Sequence, residues 1–245
     1  MSFDLRTFPN DTALAAAAAS DWLLELQSAA GRTTKLPYTV ALSGGRIART
    51  FYQETTRQIE ANPAAFKDVF ARTHFFWADE RCVPPDDAES NFRAAHELLF
   101  APLQIADARI HRIHGEDPPE SAAQKATMDI CHVAPKNSDG QPILDLIFLG
   151  MGEDGHVASL FPGKTEGTIP TETFCVVKNS PKPPPNRITL SYAAITAAKN
   201  VWTLVSGAGK EAALRESLNS SGKTPLARVI QSRSHTRIFN EIRLN

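Results

Sequence analysis

Asp145-Leu-Ile-Phe-Leu-Gly150-Met-Gly152-Glu-Asp154-Gly-His156-Val-Ala-Ser159-Leu-Phe-Pro162-Gly163 is the stretch whose reading decides the fold. Leu146 to Leu149 form a short apolar run closed by glycine, the pattern of a strand buried on both faces of a parallel sheet. The glycines at 150, 152 and 155 permit positive φ angles and let backbone amides approach a ligand closely. Asp154 and His156 then fall at the strand's carboxyl end, the edge where open α/β sheets bind their ligands. A short helix is expected from about Val157, limited by Pro162-Gly163. The same glycines satisfy G-x-G-x-x-G. A dinucleotide fold, however, needs a full helix after them and an acidic residue about twenty positions on. Pro162 and Gly163 cut the helix short, and Glu172 precedes the next strand, so no nicotinamide cofactor is expected.

Outward from this stretch, strands alternate with helices. A helix capped near Asn10 or Asp11 is expected first, with Trp22, Leu23, Leu24 and Leu26 as its apolar surface. Tyr38–Ser43 reads as the first strand, followed by Gly44-Gly45 and a helix from Arg46. Strand, Ser43-Gly44-Gly45, helix is the layout of an anion site, and equally of a tight turn that needs glycine. Arg46 in the first helical turn opposes the helix dipole unless something negative lies there, which favours the anion.

Thr73–Trp77 reads as a buried strand ending in Asp79-Glu80-Arg81, and Ser90 caps a helix carrying Phe92, Ala95, Leu98 and Leu99. Ala108–Ile113 is expected to be a short strand with His111 and His114 as edge residues. Pro119 opens a helix to about Ile130. Further strands are expected at Thr173–Val177, Arg187–Leu190, Val201–Val205 and Thr236–Phe239, with helices near Ile195 and Leu226–Ile230. Ser180–Pro185 is a stiff, proline-rich connection. Gly207-Ala-Gly209-Lys210 lacks the spacing of a P-loop, yet its lysine can meet a phosphate as a point charge. Four strand ends thus carry polar clusters, and in a parallel sheet they share one edge. One small, anionic, oxygen-rich ligand could engage them together.

Composition narrows the classes further. The 26 Lys and Arg against 27 Asp and Glu give a net charge of −1 with both signs interspersed. No basic stripe for nucleic acid is present. No apolar run approaches the ~20 residues of a membrane span, and Asp4 and Asp11 before the alanine run speak against a signal peptide. Cys82, Cys131 and Cys175 are too widely spaced for a zinc site or a disulfide framework. A cytoplasmic protein without membrane or nucleic-acid partners is expected.

The motifs resemble those of the 6-phosphogluconolactonases, relatives of the glucosamine-6-phosphate deaminases. The matching segments are Leu42–Gly45, Asp79-Glu80-Arg81-x-Val83-Pro84 with Ser90-Asn91, and Leu149-Gly-x-Gly-x-Asp154-Gly-His156-x-Ala-Ser159-Leu-Phe-Pro162. Arg187–Leu190 and Gly207 with Lys210 complete the set. One departure is Arg46-Ile47-Ala48, where the family commonly continues with Ser or Thr and then Pro.

The resemblance implies a single Rossmann-like α/β domain over residues 1–245, its mostly parallel sheet flanked by helices, plus a smaller β-rich region. It implies hydrolysis of a sugar-phosphate lactone without metal or cofactor, by a monomer or weak homo-oligomer. His156 is the candidate base, and Asp154 orients the ring or water or steadies the turn. Arg81 and the Gly44-Gly45 amides are both candidates for the carbonyl oxygen. Arg187 and Lys210, with Ser43 and the glycine turn beneath, are the candidate phosphate ligands. Asp79 belongs to the same substrate-binding set, as does Arg46, in a role left open. The alternatives are a non-catalytic sugar-phosphate sensor and the deaminase. The sensors usually carry an added helix-turn-helix, whereas one helix is expected before the first strand here. The deaminases follow Asp-Gly-His with Asn-Glu, whereas Val157–Pro162 contains no carboxylate.

Overall fold

A computed structural model describes residues 2–31, 36–66 and 68–244. The chain opens with β1 (Phe3–Thr7), α1 (Asp11–Ala30), β2 (Tyr38–Leu42), α2 (Arg46–Ala61) and the short α3 (Pro63–Phe66). β3 (Thr73–Trp77), β4 (Asp79–Arg81), α4 (Asn91–Ala95) and α5 (Pro119–Val133) follow, then β5 (Leu146–Gly150), β6 (Phe174–Val177) and β7 (Arg187–Leu190). α6 (Tyr192–Ala197), β8 (Asn200–Val205), α7 (Glu211–Leu218), α8 (Pro225–Gln231) and β9 (Thr236–Asn240) complete it.

Six strands form one sheet in the order β1-β9-β8-β5-β2-β3, every neighbouring pair parallel. The expected α/β architecture is therefore present, and so is the smaller β-rich region, as an antiparallel sheet ordered β4-β7-β6. Ala78 joins the two sheets. Its N–H donates to Leu42 O at 2.7 Å, and its carbonyl accepts from Leu190 N at 2.8 Å. One buried residue thereby carries the chain out of the large sheet and into the small one.

The apolar strand runs are buried because helices cover the sheet. Trp22 of α1 is fully buried among the rings of Phe51, Phe70, Phe75 and Phe148, at centroid distances of 5.4 to 6.5 Å. This cluster fixes α1 and α2 against β3 and β5. Asn10 caps α1, its side-chain oxygen accepting from Ala13 N at 2.8 Å. Trp22, Leu23 and Leu26 face the core, whereas Leu24, expected among them, points to solvent.

Three further expectations are corrected. A strand precedes α1: β1 pairs with β9 at the sheet edge, and its part-exposed residues make only a weak apolar signal. The helix expected from Val157 does not form. Val157 bridges Met151 and Leu160, Ala158 takes a φ of 49°, and Ser159 N donates to Thr189 Oγ1. These bonds hold the segment away from helical geometry. Residues 108–113 form no strand, because only Ile110 bridges Phe75, after a 3-10 turn at Asp107–Arg109. His111 bonds His74 at 2.7 Å and Asp129 at 2.9 Å instead.

Replacing Trp22 with Ala removes the ring on which the cluster closes. This should lower unfolding free energy by about 3–5 kcal/mol, measured by denaturant titration.

Candidate active site

The four polar strand ends meet at one cleft of about 470 Å³ at the carboxyl edge of the large sheet. Ser43, Gly44, Gly45 and Arg46 line it after β2, and Asp79 and Arg81 after β3. His156 lines it after β5, Lys210 after β8, and Arg187 enters from β7. Asp154 is the one candidate that is not part of the lining.

The turn after β5 is built around an imidazole. Gly152 N donates to His156 O at 2.9 Å and Gly155 N to Gly152 O at 3.0 Å, which folds the glycine loop back on itself. A Cβ at Gly152 would sit 2.0 Å from His156 Nδ1, so glycine is what lets the ring lie flat against the backbone. Gly155 holds a φ of 78°, and Leu226 N of α8 donates to its carbonyl at 3.1 Å. His156 Nδ1 stands 2.5 Å from Asp154 Oδ1. An ionised carboxylate can only accept, so the proton lies on Nδ1 and Nε2 is left with a free lone pair. Burial pushes the His156 pKa below the ordinary imidazole value, and the Asp154 bond and charge offset this only in part. Burial alone would raise the Asp154 carboxyl, but its bond to His156 holds it below the usual range. The pair is a neutral imidazole oriented by a carboxylate.

The wall from β4 and β7 is cationic over a buried acid. Arg81 and Arg187 are cross-strand partners in the small sheet, and like charges directly opposite destabilise a sheet unless they are compensated. Arg81 Nη1 donates to Glu89 O at 2.7 Å and lies 3.3 Å from Glu89 Oε2. Arg187 is only 4% exposed, and burial draws its pKa down. Asp79 accepts from Ser159 Oγ at 2.7 Å and from Asn91 Nδ2 at 3.3 Å. Asn91 in turn presses on Gly44, where a Cβ would meet its Oδ1 at 1.7 Å. Glu80, buried beside Asp79, caps α4 through Asn91 N and Phe92 N at 2.8 Å each. Burial raises its pKa to about 7 despite those donors.

The opposite wall holds the remaining cations. Gly45, with φ 93°, precedes the first turn of α2, whose leading N–H groups have no partner within the helix. Arg46 bonds Asp11 at 2.6 Å and Ser206 Oγ at 2.9 Å, which ties the starts of α1 and α2 to the end of β8. Glu241 closes that link by accepting from Ser206 Oγ at 2.9 Å and Gly207 N at 2.8 Å. Ser43 lines the cleft, but its hydroxyl donates to Phe148 O at 2.8 Å. Burial first, then the charge of Arg46, lowers the Lys210 pKa. Its ammonium makes no hydrogen bond or ion pair among the described residues, a state that an incoming anion would relieve.

Sequence reasoning gave no role to Asn91, Ser159, Lys182, Ser206 or Glu241. Asn91 and Ser159 stood in the matched motifs, but only the fold shows both bonded to Asp79. Lys182 lay in the proline-rich connection, where nothing local placed it in a cleft. Among the described residues, no group of three or more His, Cys, Asp or Glu could hold a metal ion, and no helix is long and apolar enough to cross a membrane.

A parallel α/β sheet with a histidine-bearing cleft lined by five cations defines a class of α/β proteins built to receive a small anion. The chain belongs to the family described as glucosamine-6-phosphate isomerases/6-phosphogluconolactonase, whose profile matches residues 9–239. The 6-phosphogluconolactonase of Treponema pallidum is 37% identical over 172 residues, covering 70% of this chain and 68% of its own. A probable chloroplastic 6-phosphogluconolactonase 3 of Oryza sativa subsp. indica is 35% identical over 204 residues, 79% of this chain. The match spans only 61% of that rice protein's length. The solved structure of 6-phosphogluconolactonase from Trypanosoma brucei superposes with a TM-score of 0.83 at 26% identity, covering 98% of this chain and 96% of its own.

Gly152→Ala should push the imidazole off the backbone and away from Asp154. His156, followed by NMR titration, is then expected to move up toward the ordinary imidazole pKa as its burial is lost.

Proposed function

We propose that this chain hydrolyses 6-phospho-D-glucono-1,5-lactone to 6-phosphogluconate, the lactone-opening step of the oxidative pentose phosphate pathway. The observation that carries the reading is the Asp154–His156 pair, a half-buried neutral imidazole whose Nδ1 is occupied, set in a cleft ringed by cations. In this reading Nε2 removes a proton from water as its oxygen attacks the C1 carbonyl carbon. The bond between C1 and the ring oxygen then breaks, and the leaving alkoxide recovers the proton from His156. Asp154 holds the ring and stabilises the imidazolium while it lasts. No redox step is needed, and the products balance as a carboxylic acid, which ionises, and a hydroxyl.

The two walls divide the substrate. Gly44-Gly45, the start of α2 and Lys210 suit the phosphate, because amides at a helix N-terminus and an unpaired ammonium favour a doubly charged anion. With the glycine turn so occupied, Arg81 is assigned to the carbonyl oxygen, where negative charge develops in the transition state. Arg46, bonded at both ends, is assigned to holding the cleft's two sides together. The relatives named as 6-phosphogluconolactonases support this substrate. Val157–Pro162, which lacks a carboxylate, supports it over the deaminase chemistry. The whole described chain is read as one domain carrying one site.

His156→Ala should lower kcat for lactone opening by roughly 10²–10⁴-fold with little loss of structure. The assay follows 6-phosphogluconate through its dehydrogenase, with spontaneous hydrolysis subtracted. An unchanged kcat in the folded variant would remove His156 from the chemistry, and no acceleration by the wild type would remove the activity.

A further inference from the structure

The connection between β6 and β7, Ser180-Pro-Lys182-Pro-Pro-Pro185, is held in an unusual way for a surface strap. Arg187 Nε donates to Pro184 O at 3.1 Å, and its Nη2 donates to Lys182 O at 3.0 Å and Pro183 O at 2.9 Å. Its Nη1 reaches Ser159 Oγ at 3.4 Å. A guanidinium has five N–H donors, so one is left to face the cleft. Prolines have no N–H of their own, and here the carbonyls of Lys182, Pro183 and Pro184 are satisfied by a buried charged group. The strap is closed on itself as well, by Ser180 N to Pro185 O at 2.8 Å.

The residue this arrangement delivers is Lys182, which lines the cleft. Its ammonium makes no hydrogen bond or ion pair among the described residues. Its charge is close enough to act on two groups in the cleft, adding to the lowering of both His156 and Lys210. Three residues from three different segments therefore face one space, and two of them are unpaired ammonium groups that repel each other. Such an arrangement is unfavourable while the cleft is empty and becomes favourable once an anion lies between them.

We infer that Lys182 is a ligand of the substrate's phosphate, acting with Lys210 from the opposite side of the cleft, and that Arg187 is the positioning residue that aims it. The inference rests on the sugar-phosphate reading above and deepens it. The strap joins two strands of the small sheet, so the phosphate would be gripped between that sheet and the end of β8. Arg187, mostly engaged by the strap, would act on the phosphate chiefly through the lysine it places.

The probe is 6-phosphogluconate, titrated calorimetrically into wild type, Lys182→Ala, Lys182→Arg, Arg187→Lys and the Lys182→Ala/Arg187→Lys double variant, with gluconate as the phosphate-free control. Lys182→Ala should weaken 6-phosphogluconate binding about tenfold or more, the loss of one charge-assisted contact. Lys182→Arg should restore most of it, and weak gluconate binding should not change. Arg187→Lys cannot fork to three carbonyls and should cost a similar factor, and the double variant should lose little more than the weaker single, because both changes act on one contact. In lactone hydrolysis, the same variants should raise KM far more than they lower kcat.

Unchanged binding in Lys182→Ala would overturn the inference. Losses that multiply in the double variant would overturn the positioning role of Arg187. A wild type that binds 6-phosphogluconate through Lys182 yet does not open the lactone would sink the proposed activity and leave the lysine's role standing. A wild type that binds no 6-phosphogluconate would overturn both.

Discussion

The buried carboxylate of Asp79 is the knot on which the cleft depends. It is 4% exposed and lies where the chain passes from the large sheet into the small one. A carboxylate in that position costs several kcal/mol unless it is fully bonded. Its partners come from segments far apart in the chain: Ser159 from the stretch after His156, and Asn91 from the start of α4. Asn91 also bonds the Asp79 carbonyl at 2.9 Å and rests against Gly44. One acidic group therefore sets the distance between the glycine turn, the imidazole loop and the small sheet. Glu80 beside it does comparable work for α4, so two adjacent carboxylates are turned to different tasks by their separate hydrogen bonds.

The charges of the cleft are arranged unlike those of the chain as a whole. The protein is close to neutral, yet Arg46, Arg81, Lys182, Arg187 and Lys210 all line this one depression. Three of them are tied by carbonyl, hydroxyl or carboxylate oxygens, which fixes geometry. The two lysines have no hydrogen-bond or ion-pair partner among the described residues, and burial lowers the pKa of Lys210. Fixed arginines and waiting lysines divide the work between shape and charge. An anion entering the cleft gains Coulomb energy without having to break an existing ion pair of either lysine.

Much of this was legible in the sequence because strand ends in a parallel sheet share an edge. The four apolar runs ending at Ser43, Asp79, Gly150 and Ser206 needed only period and turn chemistry to be found. His156 with Asp154 could be named because a titratable ring follows glycines at such an end. What escaped detection depended on tertiary bonds. β1 is an edge strand with half-exposed residues, so local periodicity had little to show. The residues after Val157 looked helical until Ser159 was drawn to Asp79 and Thr189. Ala108–Ile113 had a strand-like composition, but His111 is held by His74 and Asp129. Lys182 sat in a stretch whose prolines revealed stiffness but not direction; Arg187, nearby in sequence, supplies the direction through side-chain bonds that no local pattern encodes.

The central claim is that a neutral His156, oriented by Asp154, removes the proton from water. Its most direct test pairs two pH titrations of the wild-type protein: His156 by NMR, and kcat/KM for lactone opening corrected for the spontaneous reaction. Because burial lowers the His156 pKa and only the neutral ring can act as base, the rate should rise with pH through an inflection below the ordinary imidazole value of about 6.5. It should level off above that point, and the inflection should coincide with the NMR titration. A rate that stays flat while His156 changes protonation state would contradict the account.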